Sequence, residues 1–215
     1  MIIRAVVFDM DGLLTDSERV GLTAMQESGR LQGVELPLAL ICQTLGATEA
    51  FARDLYHAHF PRLDTQKLFV DFRQCMRALA EAGKIPLKKG ARELLLALRE
   101  RNIPCAVASS SPLNMVELYL SKAGVLDFFA VLVAGEKELP SKPAPDIFLK
   151  AAGLLKVAPA DCLVLEDSAN GVKAGRAAGM RVAMVPDLIP YSEALSPYCD
   201  QVLPDLLAAL PCLDV

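Results

Sequence analysis

Apolar positions along this chain follow two patterns. Short, nearly continuous apolar runs, rich in β-branched residues, occur at residues 2–8, 103–108, 130–134, 162–165 and 181–185. Such runs suit parallel strands covered on both faces. Longer stretches between them carry helical spacing. Residues 89–101 set Leu94, Leu95 and Leu98 on one face, and 112–123 opens on Pro112 and stops at Gly124. A proline near the first turn and a glycine just past the last are the usual helix punctuation. Residues 145–155 and 169–178 repeat the pattern. Alternation of this kind predicts an α/β fold built on a doubly wound parallel sheet.

One stretch breaks the alternation. Residues 15–83 contain helical patterns at 18–32, 48–60 and 65–82 and no convincing strand, with Gly33, Pro37, Gly46 and Pro61 as breaks. The expected organisation is a core domain of residues 1–14 and 84–215 and an all-helical cap of residues 15–83. An insertion directly after the first strand lies on the side of the carboxyl strand ends, where open α/β sheets bind ligands. It is therefore expected to close over an active site.

Composition narrows the field. Hydrophobic residues make up 53% of 215, enough for a large core. The 22 Lys+Arg against 26 Asp+Glu give a net charge of −4, so neither nucleic acid nor an anionic membrane is an expected partner. No apolar stretch approaches the roughly 20 residues of a membrane helix. The opening MIIRAVVFDMDG is interrupted by Arg4 and Asp9 and reads as a strand, not a secretion signal. The six cysteines are scattered, with no C-x-x-C pair, and are expected to be reduced core thiols of a cytoplasmic protein.

Four features carry chemistry, and each follows a predicted strand. Val6-Val7-Phe8-Asp9-Met10-Asp11-Gly12 delivers two carboxylates to a strand end, with Gly12 permitting a tight turn. Buried carboxylates must be solvated, paired or metal-bound. Ala108-Ser109-Ser110-Ser111-Pro112 ends a strand in hydroxyls where a helix begins, a setting for phosphate binding or for a plain serine cap at Ser111. Ser141-Lys142-Pro143-Ala144-Pro145 holds an ammonium in a proline-stiffened loop. Leu165-Glu166-Asp167-Ser168 again ends a strand in acids, suited to Mg²⁺ or, at Asp167, to capping the next helix. Each feature alone has an ordinary structural explanation. Together they supply a nucleophile, a second acid, a phosphate-binding hydroxyl, a cation and a metal site.

With these motifs in order, the chain resembles the haloacid dehalogenase superfamily, in particular its phosphatase and beta-phosphoglucomutase-like branch. Residues 9–17, Ser109, Lys142 and residues 166–168 match its four motifs. The resemblance implies a Mg²⁺-dependent phosphatase acting through an aspartyl phosphate. Asp9 would be the nucleophile and Asp11 the acid and base. Ser109 and Lys142 would hold the phosphoryl group together with Gly12 and Ser110. Asp9, Asp11, Glu166 and Asp167 would form the metal site. A small phosphorylated metabolite is the expected substrate, and a monomer or weak dimer the expected state.

The alternative within the branch is a hexose-phosphate mutase. By motif spacing, the mutases' cap histidine falls near Gly21, and their two cap-loop cations fall at Leu45 and Glu49. Loss of both cations favours hydrolysis, with Arg53 as the one nearby replacement. A non-catalytic binding protein of the same fold is a third reading, disfavoured because every chemical residue is present. His57 and His59 point apart on a helix and are not expected to bind metal. Leu206 and Leu207 are expected in the core, on a last helix.

Overall fold

The computed structural model describes residues 3–135 and 139–214. Six parallel strands form one sheet in the order β3-β2-β1-β4-β5-β6. They are β1 (Ala5–Phe8), β2 (Cys105–Ala108), β3 (Phe129–Val133), β4 (Cys162–Glu166), β5 (Arg181–Met184) and β6 (Gln201–Val202). The predicted start of the first strand at Ile2 lies outside the described residues. The last strand was not foreseen: both of its residues are exposed, so it has no apolar run to betray it.

The strand order reverses between β1 and β4, which pair in register from Ala5↔Cys162 to Phe8↔Leu165. A reversal of this kind opens a crevice at the carboxyl ends of the two strands. Side chains alternate between the faces of each strand. On one face Ala5, Val7, Ala106, Ala108, Val164 and Val182 join buried residues of α7 (Asp146–Leu155) and α8 (Ala169–Ala177). On the other face Phe8 meets Phe129 edge-on at 5.9 Å. The helix α5 (Ala91–Glu100) buries Leu94, Leu95 and Leu98, the stripe read from the sequence. Gly90 precedes it at φ +84°, and a β-carbon there would stand 2.6 Å from the backbone nitrogen of Leu207. Leu206 is buried and Leu207 half-buried, on a 3₁₀ segment, Leu206–Asp214, instead of an α-helix. Between β2 and β3 the sheet unit carries a further helix, α6 (Leu113–Lys122).

The chain divides into two compact units, one of Met1–Asp16 with Pro86–Val215 and one of Ser17–Ile85. The second is helical throughout: α1 (Ser17–Arg30), α2 (Leu38–Cys42), α3 (Glu49–His59) and α4 (Thr65–Glu81). The short α2 has Pro37 as its N-cap and was not predicted, because five residues carry too little periodicity. Met25, Leu36, Ile41, Tyr56, Leu68 and Phe69 form this unit's own core. Thr48 and Asp64 cap α3 and α4 by accepting the N–H groups of Phe51 and Lys67.

All six cysteines are free. The expectation of core thiols holds for Cys105, Cys162 and Cys212; Cys42 is exposed, and Cys75 and Cys199 are half-buried. Among the described residues no helix is long and apolar enough to cross a membrane.

Candidate active site

The site is assembled by strand register. Asp9 directly follows β1, and its N–H donates to the Leu165 carbonyl at 3.0 Å, which sets it beside the end of β4. Ser109 follows β2, its N–H bonded to the Val133 carbonyl of β3 at 3.0 Å. Three neighbouring strands thus present Asp9, Ser109 and Glu166 along one edge. Asp9 is 8% exposed, Ser109 0%, Glu166 1% and Asp167 7%.

Lys142 ties these ends together. The Lys142–Pro143 peptide is cis. The ammonium donates to Asp9 Oδ1 at 2.5 Å, to Glu166 Oε1 at 2.7 Å and to the Ala108 carbonyl at 3.0 Å. It also lies 4.9 Å from the centre of the buried Phe148 ring, a cation–π contact. An ammonium has three protons, and three acceptors surround this one. A buried lysine is tolerated only with such company.

Glu166 is gripped from the other side. Its Oε2 accepts the N–H and the hydroxyl of Ser168 at 2.8 and 2.9 Å. Ser168 Oγ in turn accepts the Gly171 N–H at 3.0 Å and caps α8. The capping role considered for Asp167 therefore belongs to Ser168. Gly171 is there for space: a β-carbon would stand 1.7 Å from Glu166 Oε1. Both oxygens of Glu166 are thus held by protein donors, Oε1 by Lys142 and Oε2 by Ser168.

The turn after β1 folds back on itself. Gly12 adopts φ +82°, and its N–H donates to the Thr15 carbonyl at 2.9 Å. That N–H is engaged within the turn. Leu14 and Thr15 donate their N–H groups to the Met10 carbonyl, each at 3.0 Å. This aims Asp11 toward the end of β2, where its Oδ2 accepts Ser111 Oγ at 2.7 Å and Ser109 Oγ at 3.3 Å. A cap at Ser111 is one of the two sequence readings of this serine run. The cap position of α6 is instead Pro112, and the Ser111 hydroxyl belongs to the site. Ser110 is exposed, with its backbone against Gly135. Tyr119 of α6 was not singled out by sequence; burial and the Asp11 charge push its hydroxyl pKa up.

Electrostatics follow from crowding. Burial, aided by Glu166 and Asp11, lifts the Asp9 carboxyl from 3.8 to about 8 against the pull of Lys142. Burial pulls the Lys142 ammonium down, but Asp9 and Glu166 outweigh it and hold its pKa above the ordinary 10.5. Acids outnumber cations here, so a further cation would be favoured. Among the described residues no three His, Cys, Asp or Glu side chains gather as a metal cage. Mg²⁺ does not require one, since it takes one or two carboxylates and completes its shell with water and phosphate oxygens. The buried Asp9 and Asp167 fit that demand.

A family model for haloacid dehalogenase-like hydrolases matches residues 3–179. Hexitol phosphatase B of Escherichia coli (strain K12) is 37% identical over 186 residues, 86% of this chain and 84% of that protein. A Drosophila melanogaster protein named probable pseudouridine-5'-phosphatase is 40% identical over 210 residues, 93% of this chain and 88% of that one. Among solved structures, CbbY from Rhodobacter sphaeroides in complex with phosphate superposes with a TM-score of 0.81 at 26% identity, covering 100% of both chains.

Proposed function

The chain belongs to the haloacid dehalogenase-like hydrolases and is a phosphatase of that family; from that premise we propose that it hydrolyses the phosphate monoester of a small sugar-like alcohol at the Asp9–Lys142 site. The observation that carries this is the single hydrogen-bonded cluster in which Asp9, Lys142 and Glu166 meet. The names of the two relatives, a hexitol phosphatase and a pseudouridine-5'-phosphatase, support the substrate class.

In the proposed mechanism an Asp9 carboxylate oxygen attacks phosphorus. The bond from phosphorus to the alcohol oxygen breaks, and Asp11 supplies the proton that the departing alcohol needs. Asp11, now a carboxylate, takes a proton from water as the water oxygen attacks the aspartyl phosphate. Phosphate leaves and Asp9 is regenerated. Splitting one difficult displacement into two lets the same carboxyl serve twice. Ser109 donates to a phosphoryl oxygen. Lys142, held by Glu166, offsets charge as carboxylate and ester approach. Asp9, the Asp11 backbone carbonyl and Asp167 would hold Mg²⁺, with Glu166 acting on that site through Lys142 and Ser168. When bound, the ion supplies the remaining positive charge for the equatorial oxygens.

The mutase alternative needs a cation to grip a second phosphate. Arg53, the one replacement near the expected loop, has its guanidinium on Glu49 at 2.5 and 2.9 Å, and Glu49 also takes Arg73 at 2.9 Å. That pairing favours hydrolysis. The test is phosphate release from a panel of monoesters, with Mg²⁺ and with a chelator. A hexitol phosphate and pseudouridine 5'-phosphate are included, together with a hexose 1-phosphate. Free phosphate only with Mg²⁺ is expected. Conversion of hexose 1-phosphate to hexose 6-phosphate would instead identify a mutase.

A further inference from the structure

Asp11 Oδ2 receives two hydroxyls, and they are not equivalent. Ser111 gives the shorter bond, 2.7 Å against 3.3 Å. Ser109 is fully buried, and its Oγ also accepts the Ser111 N–H at 3.0 Å. Ser111 in turn is fixed by its backbone. Its carbonyl accepts the Gly135 N–H at 3.0 Å, and Gly135 lies so close to Ser110 that a β-carbon there would stand 2.2 Å from the Ser110 carbonyl oxygen. The exit of β3 therefore locks the segment that carries Ser111. Because Pro112 occupies the cap position of α6, the Ser111 hydroxyl points its bond at Asp11 and not at the helix.

We propose that Ser111 is a positioning residue for proton transfer by Asp11, a role that rests on the phosphatase reading above. A hydroxyl held on Oδ2 fixes the plane of the carboxyl group. In the first step the Asp9–phosphorus bond forms, the phosphorus–alcohol bond breaks, and the proton of the Asp11 carboxyl group passes to the alcohol oxygen. In the second, a proton of the attacking water returns to Asp11. Ser109 turns to the phosphoryl oxygens, while Ser111 stays on Asp11 through both steps.

Leaving-group dependence tests this. p-Nitrophenyl phosphate departs as a stable phenolate without needing a proton, whereas a hexitol phosphate requires one. kcat/KM is the parameter to compare, because it ends at departure of the leaving group and is blind to the later hydrolysis. Ser111→Ala is expected to lower kcat/KM about tenfold on the hexitol ester and less than about twofold on the aryl ester, within the range of general acid catalysis. Ser111→Thr, which keeps the hydroxyl, restores the ratio of the two rates. That ratio is independent of the folded fraction of either variant. Equal losses on both esters, or none on either, overturn the role of Ser111. A wild-type enzyme silent on both esters overturns the phosphatase reading itself, a distinct result.

Discussion

Lys142 has each of its protons on a protein acceptor, and this dictates how the site responds to alkali. Its pKa in the folded protein is raised above the ordinary 10.5 by Asp9 and Glu166, which outweigh burial. A raised pKa means that the stability this group lends is complete below 10.5 and is lost as pH climbs through the higher, folded value. Urea unfolding followed from neutral pH upward is expected to show that loss in wild type. Lys142→Met should start less stable but show a flatter alkaline profile. Gly171 acts by steric means instead. A β-carbon would stand 1.7 Å from Glu166 Oε1 and 1.8 Å from Cδ, and Glu166 has no room to yield while Lys142 and Ser168 hold it. Gly171→Ala should therefore destabilise by roughly 1–3 kcal/mol, as overpacking does, with phosphate release falling in parallel; urea melts and the monoester assay measure both. Ser111 shows where reading residues in isolation fails. A serine before a helix has the same local signature whether it caps that helix or reaches another loop. The choice was made by Pro112 and by Asp11, 100 positions away.

At the scale of elements, the decisive pair is β1 and β4. Their register sets Asp9 beside Glu166 and Asp167; the two strands were legible as largely apolar runs that end in acids, whereas their pairing is a finding of the structure. The helices α5 to α8 were legible for the same reason, since their stripes and punctuation agree. Elements without a stripe, α2 and β6, were not. The third partner of Lys142, the carbonyl of Ala108, was also beyond reach, since backbone acceptors carry no residue code. Crowded acids at the ends of β1 and β4 make an ion-dependent stability the natural expectation. A ligand that binds only the folded state stabilises it by about 2.7 kcal/mol at roughly one hundred times its dissociation constant. Mg²⁺ should accordingly raise the melting temperature of wild type over that in chelator. Asp167→Asn should abolish the rise, and an unchanged rise in that variant would remove Asp167 from the ion site.

At the scale of the whole molecule, the two units are built on separate principles. The sheet unit buries both faces of its central strands β1, β2 and β4, and the helical unit closes around Tyr56, whose hydroxyl meets Thr44 Oγ1 at 3.2 Å. The chain passes from one to the other twice, and the two crossings are tied together within the sheet unit. Thr15 bridges Leu87 in antiparallel fashion, and the Asp16 N–H donates to the Pro86 carbonyl at 2.9 Å. Lys88 adds a second fastening, to Asp16 at 3.3 Å and to Asp187, beyond β5, at 2.5 Å. Two strands of a hairpin need only a tight turn between them. Excising the helical insert and splicing Asp16 to Pro86 through an Asn-Gly dipeptide should thus yield an autonomous miniature of the sheet unit, folding cooperatively in circular dichroism. The insert is in that sense a cassette, exchangeable for others without rewriting the scaffold that receives it.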